Sequence, residues 1–274
     1  MSSNQPTERI DWSDADDAQV DDRSRYLETV RRVTRYKADA FADLGLTEGE
    51  TVLDAGCGTG EDALSLADIV GSNGKVVGLD FHESSIEEAN RHSRGSGYAV
   101  EFIHGDIYDI PFPANEFDAS RADRVFQHLD EPERALRELM RVTKSGGRIQ
   151  VGDPDWGTLI VDTDNGDILK RILAFRAEQS LQTPGDWWRG RQLRALFSQA
   201  GMQNPDVRPG AASITDYDLA DYLLYISYSA RTAYEGGAIS AEELQTWESE
   251  MNERKASNRF FASMTGFGVT GINP

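Results

Sequence analysis

An α/β fold with a seven-stranded, mostly parallel sheet is predicted by three observations. Helical and extended periods alternate from residue 23 onward, a glycine-rich turn at Gly56–Gly60 joins a short apolar strand to a helix, and two alternating β-like runs fall near the end of the chain. Arg25–Leu44 places Leu27, Val30, Val33, Phe41 and Leu44 mostly three and four residues apart, an amphipathic N-terminal helix closed by Gly45. Thr51–Asp54 is a buried strand, Glu61–Val70 a helix and Val76–Leu79 the next strand, which makes a βαβ unit. A helix over Ser84–Arg94 follows, with Ser84 and Glu87 spaced as a capping box.

Tyr98–His104 supplies a third strand, and Phe117–Ser120 begins a fourth after the turn Pro111–Asn115. Asp130-Glu-Pro-Glu133 opens a helix to about Thr143, with Asp130 as its cap and the proline in its first turn. Ser145-Gly-Gly147 turns into a fifth strand, Arg148–Gly152, and Arg191–Ala200 is a further helix. Pro205–Ile214 and Asn258–Thr270 are antiparallel-looking strands separated by a helical insert. The expected layout is an acidic, partly disordered leader at 1–22, with six Asp between Asp11 and Asp22, and a single domain at 23–274. Helical caps are expected at about 155–189 and 216–252.

The 274 residues carry 28 Lys plus Arg against 47 Asp plus Glu, net −19, and five of the basic residues are Lys. Such a surface repels phosphate backbones, so nucleic acid is not the expected partner. No apolar run approaches the roughly 18 residues of a membrane span, which predicts a cytoplasmic protein without membrane contact. One cysteine, Cys57, and four histidines give no metal-ligand spacing, so no metal is expected.

The chemistry begins at Val52-Leu-Asp-Ala-Gly-Cys-Gly-Thr-Gly60, with Asp80 at the end of the next strand in position to accept both hydroxyls of a ribose. A dinucleotide site needs a small residue at position 61. Here Glu61 and Asp62 follow the turn, and two carboxylates in the first helical turn repel a pyrophosphate. They suit a cofactor without phosphate, such as S-adenosylmethionine, and count against an oxidoreductase.

These segments resemble the class I S-adenosylmethionine-dependent methyltransferases, in particular the small-molecule branch related to ubiquinone and menaquinone biosynthesis. Val52–Gly60 matches the first motif and Val77-Gly-Leu-Asp80 the second. Gly105-Asp106-Ile107, Phe112-Pro113 and Phe117-Asp118 match the next pair, and Arg141–Gly147 the last, so the likeness covers about Tyr26 to Gly152. It implies a Rossmann-like sheet with an antiparallel last strand, and S-adenosylmethionine as methyl donor with S-adenosylhomocysteine as product. Asp54 and the turn of Gly56, Cys57, Gly58 and Gly60 would border the methionine part, and Asp80 the ribose. Phe81, Asp106 and the Ile107 backbone would border the adenine, and Arg121 and Ala122 the methionine and donor methyl.

Methyl transfer is an in-line displacement, so a base is needed only for an acceptor that arrives protonated. Tyr26, His128 and Asp153 are the candidates near the expected mouth, the alternative readings being simple packing for Tyr26, a solvent-facing helix start for His128 and a plain turn at Pro154 for Asp153. Trp156, Trp187, Trp188 and Tyr225 are the candidate acceptor contacts, although Tyr222 and Tyr225 at helical spacing also suit core packing. The expectation is a methyltransferase acting on an oxygen or carbon of a small, partly aromatic or polyketide- or quinone-like metabolite. The alternatives are a protein or RNA methyltransferase and a non-catalytic S-adenosylmethionine-binding protein. Homo-oligomerisation stays open.

Overall fold

The computed structural model describes residues 41–181 and 185–274. The leader 1–22, Tyr26 and the N-terminal helix up to residue 40 lie outside the described residues; residues 41–44 are helical.

Five strands run parallel: β1 (Thr51–Ala55), β2 (Lys75–Asp80), β3 (Val100–His104), β4 (Phe117–Asp123) and β5 (Thr143–Val161). β6 (Gln203–Ile214) and β7 (Ala262–Ile272) complete the sheet in the order β3-β2-β1-β4-β5-β7-β6, with β7 antiparallel to both its neighbours. Order reverses between β1 and β4, and the crevice above their carboxyl ends is where such sheets hold ligands.

Strand alternation builds two cores at once. Val52 and Val76 face one side with Ala63, Leu66 and Phe102. Their neighbours Leu53 and Val77 face the other with Leu136, Leu139 and Phe197. The first side is covered by α1 (Glu61–Val70) and α2 (Glu83–Ser93), the second by α3 (Pro132–Val142) and α5 (Arg189–Gln199). A third core belongs to the cap. There α4 (Gly166–Ser180), α6 (Tyr217–Leu224), α7 (Ile226–Glu235) and α8 (Ala241–Ala256) enclose Ile172, Leu223, Ala230, Trp247 and Met251.

Several local expectations are corrected. α2 starts at Glu83 with His82 as its N-cap and no side-chain cap, so the Ser84–Glu87 box does not form. The amide of His82 donates to Asp80 instead. α3 is entered through Glu131 with Pro132 first, and Asp130 accepts from the amide of Gly185 rather than capping the helix. A complete capping box stands at Ser240 and Glu243, ahead of α8.

The fifth strand does not end at Gly152. It continues through Asp153, Pro154 and Asp155, paired with Phe267, Gly266 and Thr265 of β7. β4 stops opposite Gly152, so the edge of β5 facing it is open where Pro154 lacks an N–H. The turn once open as a reading of Asp153-Pro154 is therefore excluded. Tyr225 is not an interior helix residue with Tyr222: it adopts left-handed φ 56° and breaks the insert into α6 and α7.

Candidate active site

The glycine-rich turn is pinned to the end of β2. The amides of Gly56 and Cys57 donate to Leu79 O at 2.6 and 3.0 Å, and that of Gly58 to Asp80 Oδ2 at 2.8 Å. Gly56 has φ +78°, and a Cβ there would collide with Val125 of the segment after β4, so only glycine lets the two loops meet. Asp80 Oδ1 accepts from His82 N at 3.0 Å. The same oxygen lies 3.1 Å from His82 Nδ1, so the carboxylate is held at the end of β2 by its neighbours. Phe81, next along, is 63% exposed, beside the rings of His82 and His104, which excludes core packing as its role. Asp106, after β3, accepts from Tyr108 N at 2.9 Å, and Ile107 and Cys57 are buried.

Arg121 on β4 is 2% exposed. It reaches Asp62 at 3.0 Å, Asp54 at 3.4 Å and Asp123 at 3.7 Å, and its guanidinium lies over Phe41. Burial pushes its pKa down, but the three carboxylates outweigh this and hold it above the usual arginine value. Ala122 packs in the core, so of the implied pair Arg121 is the residue that meets the Asp54 carboxylate. Three carboxylates around one guanidinium leave the floor negative. A cationic, phosphate-free ligand fits that floor, and the fit supports S-adenosylmethionine. Sequence reading missed this cluster because positions 54, 62, 121 and 123 meet only across β1, α1 and β4.

Asp153 is 1% exposed. Its Oδ1 accepts from Gln127 N at 3.3 Å, and its Oδ2 has no hydrogen-bond partner among the described residues. Burial raises its pKa well above the usual carboxylate range; the Gln127 amide opposes the shift and Asp123 adds to it. His128 is exposed at the end of the 3₁₀ turn Phe126–His128. Among the acceptor candidates, Trp156, Trp187 and Tyr225 come together: Trp156 stands 5.3 Å from Trp187 and 6.4 Å from Tyr225, ring to ring. Arg176 of α4, 7% exposed and absent from the sequence reading, lies over all three, 4.2 Å from the Trp187 ring, and donates to Leu224 O and Ser229 Oγ. Trp188 turns away beside Gly157 and Arg191, the partner of Asp155.

Among the described residues no group of three or more His, Cys, Asp and Glu is placed to hold a metal ion, and no helix is long and apolar enough to cross a membrane.

Residues 46–187 match the family described as a methyltransferase domain. The chain is 32% identical over 253 residues to an uncharacterized 37.1 kDa protein in transposon TN4556 of Streptomyces fradiae, covering 91% of this chain and 71% of that one. It is 33% identical over 200 residues to demethylmenaquinone methyltransferase of Geobacillus kaustophilus, covering 69% of this chain and 86% of that one. In fold it is similar to Haemonchus contortus phosphoethanolamine N-methyltransferase 2, solved with S-adenosyl-L-methionine, at TM-score 0.59 and 14% identity, covering 96% of this chain and 59% of that one. With the glycine-rich turn, the acidic strand ends and these likenesses together, the chain belongs to the methyltransferase domain family and is an S-adenosylmethionine-dependent methyltransferase.

Proposed function

We propose that the protein methylates an oxygen or carbon of a small, planar, quinone-like or otherwise aromatic metabolite. The observation that carries this reading is the wall of Trp156, Trp187 and Tyr225 beginning three residues along β5 from Asp153. Rings of this kind bury flat apolar surface, and an adjacent carboxyl engages a ring hydroxyl. The demethylmenaquinone methyltransferase among its relatives points to the same acceptor class.

S-adenosylmethionine, when bound, would supply a methyl on a cationic sulfur: the acceptor atom would take that methyl, the S–CH3 electron pair would stay on sulfur to give S-adenosylhomocysteine, and the acceptor would give up a proton. In this reading Asp54 and the turn at Gly56, Cys57, Gly58 and Gly60 hold the methionine part, and Arg121 pairs with Asp54 and Asp62. Asp80 holds the ribose, and Phe81, Asp106 and Ile107 border the adenine. The cap excludes water. Asp153 holds the acceptor hydroxyl through its open oxygen. Its raised pKa brings it nearer to that of a phenol or enol and suits it to take the proton. His128, at the rim, is the second candidate base. No metal is assigned a role, and with net charge −19 neither is nucleic acid. A cytoplasmic setting fits the charge and the single cysteine.

The test is incubation with S-adenosylmethionine bearing an isotope-labelled methyl in a lysate of the source organism, followed by mass spectrometry. Label in a small aromatic molecule is expected; label confined to RNA or protein overturns the reading.

A further inference from the structure

Gln127 lies in the 3₁₀ turn after β4 and joins two segments that are remote from it in sequence, β5 and the loop at 185–187. Its backbone N–H donates to Asp153 Oδ1 at 3.3 Å. Its carbonyl accepts from Asp186 N at 2.9 Å, in the loop that carries Trp187. Its side-chain Oε1 accepts from the indole Nε1 of Trp156 at 3.1 Å, and its Nε2 donates to Arg124 O at 3.4 Å. The surroundings are built to this contact. Gly185 stands at φ +91° where a Cβ would collide with the Gln127 carbonyl. Arg189 Nε donates to Phe126 O at 3.2 Å, and Trp156 N to Trp187 O at 3.0 Å. One residue thus fixes the carboxyl assigned to the acceptor oxygen, the indole assigned to the acceptor ring, and the loop that brings the second indole.

We infer that Gln127 is the positioning residue of the acceptor site, setting the Trp156 indole and the Asp153 carboxyl in fixed relation so that a ring and its hydroxyl are read together. This rests on the acceptor reading above, and it adds the residue that couples the two contacts. An amide is needed because the indole N–H wants an acceptor while the Arg124 carbonyl wants a donor. Methionine keeps the length of the side chain and offers neither. Glutamate keeps the acceptor.

The test uses the full chain with ¹⁵N-labelled tryptophan, the Trp156 indole signal being the one lost in Trp156→Phe. In Gln127→Met that signal is expected to shift and lose its protection against solvent exchange. The Kd for 1,4-dihydroxynaphthalene, measured under nitrogen, is expected to rise roughly tenfold while that for S-adenosylmethionine holds, the size of one lost buried hydrogen bond. Gln127→Glu is expected to restore the indole signal and part of the affinity. An indole signal unmoved in Gln127→Met overturns the inference. So does a parallel fall in both affinities, which would mark general loss of structure. If the unmodified protein binds no 1,4-dihydroxynaphthalene, the acceptor reading is what fails, and the indole signal with its rescue by glutamate decides Gln127 by itself.

Discussion

The two halves of the site are built in opposite ways. On the donor side, one βαβ unit presents the five-residue turn, Asp80 and Phe81 at the ends of β1 and β2, tied by hydrogen bonds such as Gly58 N–H to the Asp80 carboxylate at 2.8 Å, and Arg121 of β4 joins them by ion pairs. On the acceptor side, Gln127, Asp153, Trp156, Arg176, Trp187 and Tyr225 come from five segments and meet only through the extension of β5 and the cap. The donor side gathers carboxylates around a buried guanidinium; the acceptor side sets three aromatic rings beside one buried carboxyl. A common cofactor is met by local, repeatable geometry, whereas a particular acceptor is met by surfaces that can be rebuilt without disturbing the sheet.

The largest expected effect tests the charge pairing of the donor side. Arg121→Met leaves Asp54, Asp62 and Asp123 without their buried cation and should cost about 3–5 kcal/mol of stability in urea unfolding; a loss below 1 kcal/mol would mean the carboxylates are already neutralised otherwise. Next, Asp80→Ala should weaken S-adenosylmethionine binding by about 1–3 kcal/mol in calorimetry, through unpaired ribose hydroxyls and a loosened Gly58 amide. Wild-type affinity would remove the ribose assignment. Trp187→Ala should separate the halves, raising the acceptor KM by roughly 5- to 30-fold, about 1–2 kcal/mol, with unchanged donor affinity. Equal losses for both ligands would erase the distinction.

Asp153→Asn carries a sign as well as a size. The folded carboxyl titrates above its unfolded value, so its ionisation burdens the fold increasingly as pH rises from about 4 toward the raised pKa. The variant should therefore match the parent in acid and be more stable by about 1 kcal/mol or more at the alkaline end, while losing transfer activity. Thermal melts across pH decide it; a variant less stable at every pH would refute the buried-acid description. His128→Ala should change stability by less than about 0.5 kcal/mol, as befits an exposed position. A flattened pH profile of turnover in that variant would move the base from Asp153 to His128.

The legible parts of the sequence were those whose partners lie nearby. Val52–Gly60 and Asp80 disclosed the turn and the strand end because φ, chain reversal and a short reach dictate those residue types. The capping box at Ser84 does not form because Asp80, two residues ahead, takes the His82 amide and the helix starts one residue earlier, at Glu83. The end of β5 was misplaced because Pro154 is a local stop signal that β7 overrides along a free edge. Trp156, Trp187 and Tyr225 were recognisable as unusual aromatics, but the rotation of Trp188 away from them was not.

By itself, then, the sequence determined the alternation of strands and helices, a βαβ unit around a glycine-rich turn, and a donor site suited to a cationic, phosphate-free cofactor. These follow from periodicity and from residue types bound to local backbone geometry. The tertiary structure decided which carboxylates share Arg121, which tryptophans face one another over Arg176, and that Gln127 ties Asp153 to Trp156. Those contacts join residues dozens of positions apart, and no local propensity encodes them. They arise only when the sheet brings β4 and β5 side by side and the cap closes on its own core.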